Sequence, residues 1–271
     1  MISRLIAIWL LFCGVAAAQV GQIPAWPPVQ TAPIASGNSL IFTAASSQYL
    51  QATGSTSANQ QKFSISFWEK LGTANAQYML YSGSDGSSNN RFGLSLSATD
   101  QLTFFAEVSG TTVLDLITTA TFTDTTSWHH VFLGVDTTQA TASNRALLYF
   151  DGTLVTSFGT STYPTQNTNL PMNFANPFAI GRYVSTGNLY FNGKIAQFYN
   201  IDGQQLTPSS FITGTPGVPK TYSGTYTGHF DFFLPFSNGT STTTLGADSS
   251  GESNNWTLAN MTTANQSSDY P

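Results

Sequence analysis

Short segments in which apolar and polar residues alternate constrain this chain more than any other feature of its sequence. In FSISFWEK, residues 63–70, the side chains of Phe63, Ile65 and Phe67 fall on one face of an extended backbone. The same period of two recurs in QYMLYSG, RFGLSLS, QLTFFAEV, TVLDLIT, HHVFLGV, ALLYF and TLVTS. Clusters of Gly, Ser, Asn and Asp separate these segments, as expected of turns. The pattern predicts an all-β sandwich or barrel.

Two local signals sharpen this prediction. Asp151-Gly152 lies between ALLYF and TLVTS and predicts a two-residue hairpin, because both turn positions require a positive φ. In LTPSSF, Thr207 as N-cap and Pro208 at the first helical position predict one short helix. The 20 Phe and 11 Tyr supply enough apolar surface for two sheets that face each other across one core.

The N-terminus predicts a leader followed by a linker. In residues 1–18, Arg4 precedes an apolar run that ends in three alanines before Gln19, the pattern of a secretory signal peptide. The run is too short for a comfortable membrane span, so no span is expected after its removal. A retained apolar anchor or a buried strand is the alternative. Residues 19–37 are rich in Pro and predict an extended linker, and the single cysteine, Cys13, lies in the leader.

The charge of the chain bears on its partners. Only 8% of the residues are charged, and the net charge is −5. Nucleic-acid binding requires clustered Lys and Arg, and the eight basic residues are scattered. The composition therefore excludes nucleic acid as a partner and predicts a surface that interacts through hydroxyl and amide groups.

The stretch SWHHVFLGVD raises the question of histidine chemistry. In a strand, His129 and His130 point to opposite faces and cannot share a metal or a proton. The only other histidine, His229, is distant in the chain. We therefore expect both neighbours to be structural residues. Trp68 and Trp128 are expected in the core.

Two stretches, WHHVFLGVD…ALLYFDGTLV and FAIGRYVSTGNLYFNGKIAQFYNIDGQQLTPSSF, resemble laminin-G-like domains of the concanavalin A-like lectin/glucanase superfamily. VDTTQATASNRALLYFDG, STYPTQN and LGADSSGESNNWTLANMTTANQSSDYP resemble more closely a group of bacteriophage tail or virion structural proteins that carry this domain. The resemblance implies a two-sheet antiparallel jelly-roll sandwich. It places that domain at residues 38–212, and residues 213–271 become a C-terminal extension that packs on the sandwich or docks a partner.

Glycoside hydrolysis is a remote alternative that the superfamily brings with it. Its glucanases place alternate carboxylates of an E-x-D-x-x-E strand in the cleft. None of the three glutamates, Glu69, Glu107 and Glu252, lies in such a motif. Glu107 and Asp115 are the one pair that strand pairing could bring together. We therefore predict that the chain is not an enzyme.

Two loops offer hard oxygen ligands for calcium, which the resemblance makes the candidate cofactor. Asp85 lies in SGSDGSSNNR and Asp248 in GADSSGESNNW. Neither loop has a defining ligand spacing. The alternative is that both aspartates close Asx-type turns.

A glycan site requires an aromatic surface beside amide and hydroxyl groups. Tyr163, Tyr183, Tyr190 and Tyr222 lie in turn-rich segments, where we expect their rings to be exposed. Packing of the same rings is the alternative for each. The predicted glycan-binding residues are Asn89, Asn90, Arg91, Tyr183 and Tyr190.

Together these features predict a non-enzymatic, lectin-like structural protein of a phage or prophage virion, in a tail, fibre or other surface component. Its expected partners are a cell-surface glycan and either other virion proteins or further copies of itself. The signal-like leader favours the alternative of a secreted bacterial carbohydrate-binding protein or adhesin. The predicted location is accordingly the virion or the extracellular space.

Overall fold

The computed structural model describes residues 37–55, 58–87, 89–214, 217–227 and 229–271. The predicted leader and all of the predicted linker except Gly37 lie outside these residues. In chain order the strands are β1 (Ser39–Phe42), β2 (Tyr49–Thr53), β3 (Lys62–Leu71), β4 (Tyr78–Ser84), β5 (Arg91–Leu96), β6 (Leu102–Val108), β7 (Thr111–Thr118), β8 (His129–Asp136), β9 (Ala146–Phe150), β10 (Thr153–Leu154), β11 (Phe158–Thr162), β12 (Pro177–Ile180), β13 (Gly193–Asp202), β14 (Ile212–Gly214), β15 (Gly217–Pro219), β16 (Phe232–Leu234), β17 (Thr257–Ala259) and β18 (Gln266–Ser267). The helical elements are α1 (Thr242–Leu245) and single 3₁₀ turns at Ala44–Ser46, Ala142–Asn144, Pro208–Ser210 and Thr263–Asn265.

Two antiparallel sheets face each other and form a sandwich, which confirms the predicted fold class. The first sheet has the order β10-β9-β8-β3-β13-β1-β18, with β16 paired to β13 as well. The second sheet has the order β11-β7-β6-β5-β4-β12-β2-β17. Strands β14 and β15 form a separate small ladder.

Strand β13 organises the first sheet. It pairs with β3 along one edge and with both β1 and β16 along the other. Strands from the last part of the chain enter both sheets, because β16 pairs with β13, β18 with β1, and β17 with β2. The boundary predicted after residue 212 stays a prediction.

Aromatic rings fill the space between the sheets, and Tyr81 lies at their centre. Its ring on β4 contacts rings from both sheets and from the segment before β17, at centroid distances of 5.2 to 6.4 Å. The rings in contact with Tyr81 are those of Phe92, Phe178, Phe198, Phe232 and Trp256. The hydroxyl group of Tyr81 is buried and has no hydrogen-bond partner among the described residues.

A second apolar cluster covers the outer face of the first sheet. Phe132, Tyr199 and Trp68 point away from the sandwich core and pack with residues that follow β13, among them Phe211 and Tyr222. Trp68 is therefore buried as predicted, but in this outer cluster. The predicted core residue Trp128 is only partly buried, and its Nε1–H donates to the Asp269 carboxylate at 3.0 Å.

The local predictions are largely confirmed. Asp151 and Gly152 have φ values of 49° and 76° and join β9 to β10, as a two-residue hairpin requires. A 3₁₀ turn forms at Pro208–Ser210, but the Thr207 hydroxyl contacts the Ser209 hydroxyl and caps no backbone N–H. Among the described residues, no helix is long and apolar enough to cross a membrane.

Replacement of Tyr81 tests whether this ring holds the sheets together. Tyr81→Ala removes a fully buried ring and is expected to lower the free energy of unfolding by about 3–5 kcal/mol. Tyr81→Phe keeps the ring and removes a hydroxyl without a partner, so the free energy of unfolding should stay the same or rise by about 1 kcal/mol. Urea denaturation of the three proteins measures both changes. A clear loss of stability in Tyr81→Phe would mean that the hydroxyl is hydrogen-bonded in solution.

Candidate functional site

The outer face of the second sheet carries polar and aromatic side chains that are free of the core. Strand alternation sends Phe92, Phe104 and Leu116 inward and leaves their neighbours along each strand on the outer face. The outward residues of β5, β6 and β7 include Arg91, Gly93, Ser95, Thr103, Phe105, Glu107, Asp115 and Ile117. This face thus combines an aromatic ring, hydroxyl groups and charged groups.

The loop at residues 181–192 lies on this face and is tightly held. Gly181 has a φ of 82°, and a side chain there would meet the Phe42 ring at 2.8 Å. The Ser82 hydroxyl on β4 donates to the Arg182 carbonyl at 2.8 Å and accepts from the Val184 N–H at 3.0 Å. These bonds fix the loop to the sheet.

Two depressions lie on the outer face, and residues of this loop line both. We call the first the Phe105 groove; its volume is about 440 Å³. It is lined chiefly by Gln77, Arg91, Ser97, Thr103, Phe105 and Tyr183. We call the second the Arg182 depression; its volume is about 390 Å³. It is lined chiefly by Gln51, Thr53, Pro177, Arg182, Asn255 and Thr257.

Arg91 connects the groove's charged and aromatic groups. Its Nε and Nη2 donate to the two carboxylate oxygens of Glu107 at 2.8 and 2.9 Å, which is a bidentate ion pair. The hydrogen bond to Glu107 raises the pKa of Arg91 further above neutrality. The guanidinium carbon lies 5.8 Å from the centroid of the Tyr183 ring, and the Phe105 ring meets Tyr183 edge to face at 6.1 Å.

The expectation that Tyr183 is exposed is wrong. Arg91 and Phe105 cover its ring and leave the residue only 7% exposed. This burial raises the pKa of the Tyr183 hydroxyl. Phe105, which the sequence-based prediction missed, is only partly buried and supplies the accessible ring in the groove. Gly93, opposite Phe105 on β5, leaves room for the Phe105 ring, because a Cβ there would lie 2.5 Å from it; this relation depends on strand pairing.

Asn89 and Asn90 form part of the turn that precedes Arg91. The Asn90 amide donates to Asp85 at 2.9 Å and accepts from the Ser109 N–H at 3.0 Å. The Asn89 carbonyl accepts from the Gly110 N–H at 2.9 Å. The structure thus brings both asparagines to the rim of the face that carries Arg91, where Asn90 and Asp85 line a separate depression of about 300 Å³.

The other predicted tyrosines lie apart from the groove. Tyr190 is partly buried, its hydroxyl donates to the Gly187 carbonyl at 2.9 Å, and its ring lies 6.1 Å from that of Tyr49. Tyr222 is buried in the cluster over the first sheet, so its expected exposure is wrong. Tyr163 is partly buried against the core.

The two aspartates predicted to bind calcium both close Asx-type turns, which is the alternative that the sequence also allows, and calcium binding by them stays a prediction. Asp85 accepts from the Ser87 N–H at 2.8 Å and from the Ser87 hydroxyl at 2.6 Å, and these bonds lower its pKa. Asp248 accepts three backbone N–H groups at 2.8 to 2.9 Å and the Ser250 hydroxyl. N–H donors at the carboxylate oxygens are the arrangement of Asx turns. In the part of the chain that the structure describes, no group of three or more His, Cys, Asp or Glu is placed to hold a metal.

Strand register decides whether Glu107 and Asp115, the candidate carboxylate pair, lie opposite each other. Glu107 pairs with Thr112, whereas Asp115 pairs with Phe105, because the register shifts after Ala106. Glu107 is held by Arg91, and burial raises the pKa of Asp115. The two carboxylates therefore do not face each other across the strands.

The two neighbouring histidines point to opposite faces, as predicted. His130 lies on the outer face of the first sheet, fully buried, with its Nε2 at 2.8 Å from the Ser66 hydroxyl. Burial lowers its pKa to about 3, so it stays neutral. His129 faces the inside of the sandwich edge, where its Nδ1 lies 2.8 Å from Asp151 and this bond raises its pKa.

Glu69 is a buried acid that the sequence-based prediction missed. It lies opposite His129 in the register of β3 and β8 and is 3% exposed, and its Oε2 has no hydrogen-bond partner. Burial raises the pKa of Glu69 to about 7; nearby His129 opposes this shift, and Asp151 and Asp124 add to it. The alternation of FSISFWEK already places Glu69 on the core face, where an acid has few partners.

The matching of family models decides the family of the chain. A laminin-G model, described as concanavalin A-like lectin/glucanases superfamily, matches residues 44–210, more than half of the 271 residues. The chain belongs to this superfamily. A comparison with curated protein sequences finds no match.

Several solved structures resemble this member of the superfamily. A candidate carbohydrate-binding protein from Bacteroides ovatus has a TM-score of 0.53 at 14% identity, over 86% of this chain and 60% of that one. A SAP-like pentraxin from Limulus polyphemus has a TM-score of 0.45 at 11% identity, over 63% of this chain and 78% of that one. The CBM40 module of a Ruminococcus gnavus sialidase, bound to α2,3-sialyllactose, has a TM-score of 0.39 at 16% identity, over 60% of this chain and 85% of that one. Of these three, only the Bacteroides protein exceeds 0.5, and its low identity makes it evidence for the fold alone.

The pKa of Glu69 predicts a pH dependence of stability. The folded state binds the Glu69 proton more tightly than an unfolded chain with a pKa near 4.5, so the contribution of Glu69 to stability is fully present below pH 4.5 and is lost as the pH rises through 7. The loss is expected to reach about 3 kcal/mol. Glu69→Gln should remove most of this loss in urea denaturation at pH 5 and pH 8. Because the pKa of His129 is also raised, a smaller loss of stability above pH 6.5 should remain in both proteins. Equal losses in the two proteins would show that Glu69 ionises freely in the fold.

Proposed function

We propose that this chain is a non-enzymatic carbohydrate-binding protein and that a glycan binds in the Phe105 groove. The observation that carries the proposal is the partly exposed Phe105 ring beside hydroxyl, amide and charged groups on one solvent-facing sheet. A sugar ring presents an apolar face of C–H groups and a rim of hydroxyl groups. The apolar face suits the Phe105 ring, and the hydroxyls suit Gln77, Thr103 and the exposed edge of the Arg91–Glu107 pair.

The positions of the carboxylates of Glu107 and Asp115 support binding without catalysis. Glycoside hydrolysis requires two carboxyl groups on either side of one bond. The groove's Glu107 already accepts two hydrogen bonds from Arg91, and Asp115 pairs with Phe105 on the neighbouring strand. An acid locked in an ion pair makes a poor proton donor but a good acceptor for sugar hydroxyls.

Fold relatives give this proposal a context. The Bacteroides ovatus protein with the same fold is a candidate carbohydrate-binding protein, and the present chain covers 60% of its length. We extend that property to this chain as a proposal. The evidence for it remains the groove itself.

The finer proposal is that this carbohydrate-binding protein is a virion component of a phage or prophage that binds a cell-surface glycan. It is supported by the resemblance of residues 136–145, DTTQATASNR, to phage structural proteins. A secreted bacterial carbohydrate-binding protein is the second candidate, and the signal-like pattern before Gln19 favours it.

Phe105→Ala tests the groove. The purified protein is first screened on an array of neutral bacterial surface polysaccharides, and an oligosaccharide of the best-bound one is then titrated by calorimetry. Loss of the ring is expected to weaken binding about tenfold. Phe158→Ala is the matched control, because Phe158 is partly buried on edge strand β11 of the same sheet and does not line the groove. Equal affinity of Phe105→Ala and the native protein would place the glycan elsewhere.

Mass spectrometry of sedimented particles and cleared culture supernatant tests the virion proposal. Peptides of this chain at stoichiometric level in the particle band are expected. A soluble or cell-bound protein that begins at Gln19 would contradict the virion proposal and support secretion. The N-terminal peptide read from the same samples shows whether residues 1–18 are removed.

A further inference from the structure

Within the part of the chain that the structure describes, Arg182 is distinguished by the absence of an ion pair or hydrogen bond to its guanidinium group. Among the described residues, each of the other Lys and Arg side chains makes an ion pair or hydrogen-bonds backbone carbonyls. These are Lys62 with Asp136, Lys70 and Lys194 with Asp269, Arg91 with Glu107, Arg145 with the carbonyls of Gln139, Ala140 and Pro164, and Lys220 with the Ser209 carbonyl. The guanidinium group of Arg182 makes neither kind of contact, and its Nε is buried without an acceptor.

The position of this guanidinium group is nevertheless fixed. Its central carbon lies 4.0 Å from the centroid of the Tyr49 ring, a cation–π contact. The Tyr190 ring packs against the same Tyr49 ring, at a centroid distance of 6.1 Å. The Arg182 backbone is held by the bond from the Ser82 hydroxyl, and the loop closes through the Tyr183–Asn188 bridge. The side chain of an arginine that is already held in place has little conformational freedom left to lose when it binds an anion.

The surroundings of Arg182 suit a sugar. The Arg182 depression offers amide groups from Gln51 and Asn255 and hydroxyl groups from Thr53 and Thr257 beside the apolar ring of Pro177. None of the described residues that line it is acidic. The part of the guanidinium group that faces the depression presents planar N–H donors, which match the two oxygens of a carboxylate.

We propose that the Arg182 depression is a second saccharide subsite, which binds the carboxylate of an acidic sugar through the guanidinium group. The identity of the ligand as a saccharide rests on the proposed function; its acidic group rests on Arg182. Tyr49 holds the guanidinium plane, and the amide and hydroxyl groups of the depression receive the sugar hydroxyls. The Phe105 groove on the same sheet, whose arginine is already paired, binds neutral units of the glycan.

Ligand-observed NMR with the full chain tests this subsite. The probes are the methyl glycosides of galacturonic, glucuronic and N-acetylneuraminic acids, each compared with its methyl ester. At least one acid is expected to bind about tenfold or more tightly than its ester. Arg182→Gln should abolish this preference while it keeps a planar group on Tyr49. The matched control is Lys220→Gln, which changes the net charge equally and should keep the preference.

Thr257→Tyr serves as an independent variant, because it fills the depression without altering Arg182. It should also abolish acid binding. An acid preference that survives in Arg182→Gln or Thr257→Tyr would overturn the proposal, and so would the absence of any acid preference in the native protein. Tighter, Arg182-dependent binding of galactose 6-sulfate would overturn the carboxylate assignment. Neutral glycan binding that depends on Phe105 would persist in each of these cases, which separates a failure here from a failure of the proposed function.

Discussion

Aromatic packing around Tyr81 is the contact on which the rest of the molecule depends. The strand register shifts between Met79 and Tyr81, and this irregularity lets Leu80 and Tyr81 both reach the core. The Tyr81 ring then contacts rings from both sheets and Trp256 from the last part of the chain. A chain without a cysteine beyond residue 13 has no disulfide to hold two sheets together, so large interlocking rings must do so.

The position of the candidate site follows from what each sheet has left to expose. Residues after β13 cover the outer face of the first sheet, where Phe211 packs on Tyr199 and Tyr222 packs on Phe211. The second sheet instead carries the loop that contains Arg182 and Tyr183, which leaves a depression on either side of it. One face of the sandwich is thus closed by the chain itself, and the other presents polar groups and a ring to solvent. Binding on the second sheet is therefore a consequence of how the first one is covered.

Sequence alone predicts those features that depend on neighbours in the chain. The alternation of apolar and polar residues predicted the strands and the opposite directions of His129 and His130. The positive φ that a tight turn requires predicted the hairpin at Asp151. The groove could not be predicted, because Phe105 and Tyr183 meet only after β6 and the loop after β12 are brought together. The same limit explains the wrong expectation for Tyr183, since a turn-rich sequence does not reveal which side chains will cover it. The contacts within DTTQATASNR, where Arg145 donates to the carbonyls of Gln139 and Ala140, likewise lie outside what alternation along strands can predict.

Electrostatics decides how the two depressions can differ. A chain with a net charge of −5 repels acidic glycans at long range, but salt screens that repulsion beyond about 8 Å at physiological ionic strength. Attraction at contact is screened far less. The guanidinium group of Arg91 forms an ion pair with Glu107, whereas no acid among the described residues pairs with that of Arg182. A single unpaired arginine on a sparsely charged sheet is therefore enough to make one depression selective for acidic units, while the other remains suited to neutral ones.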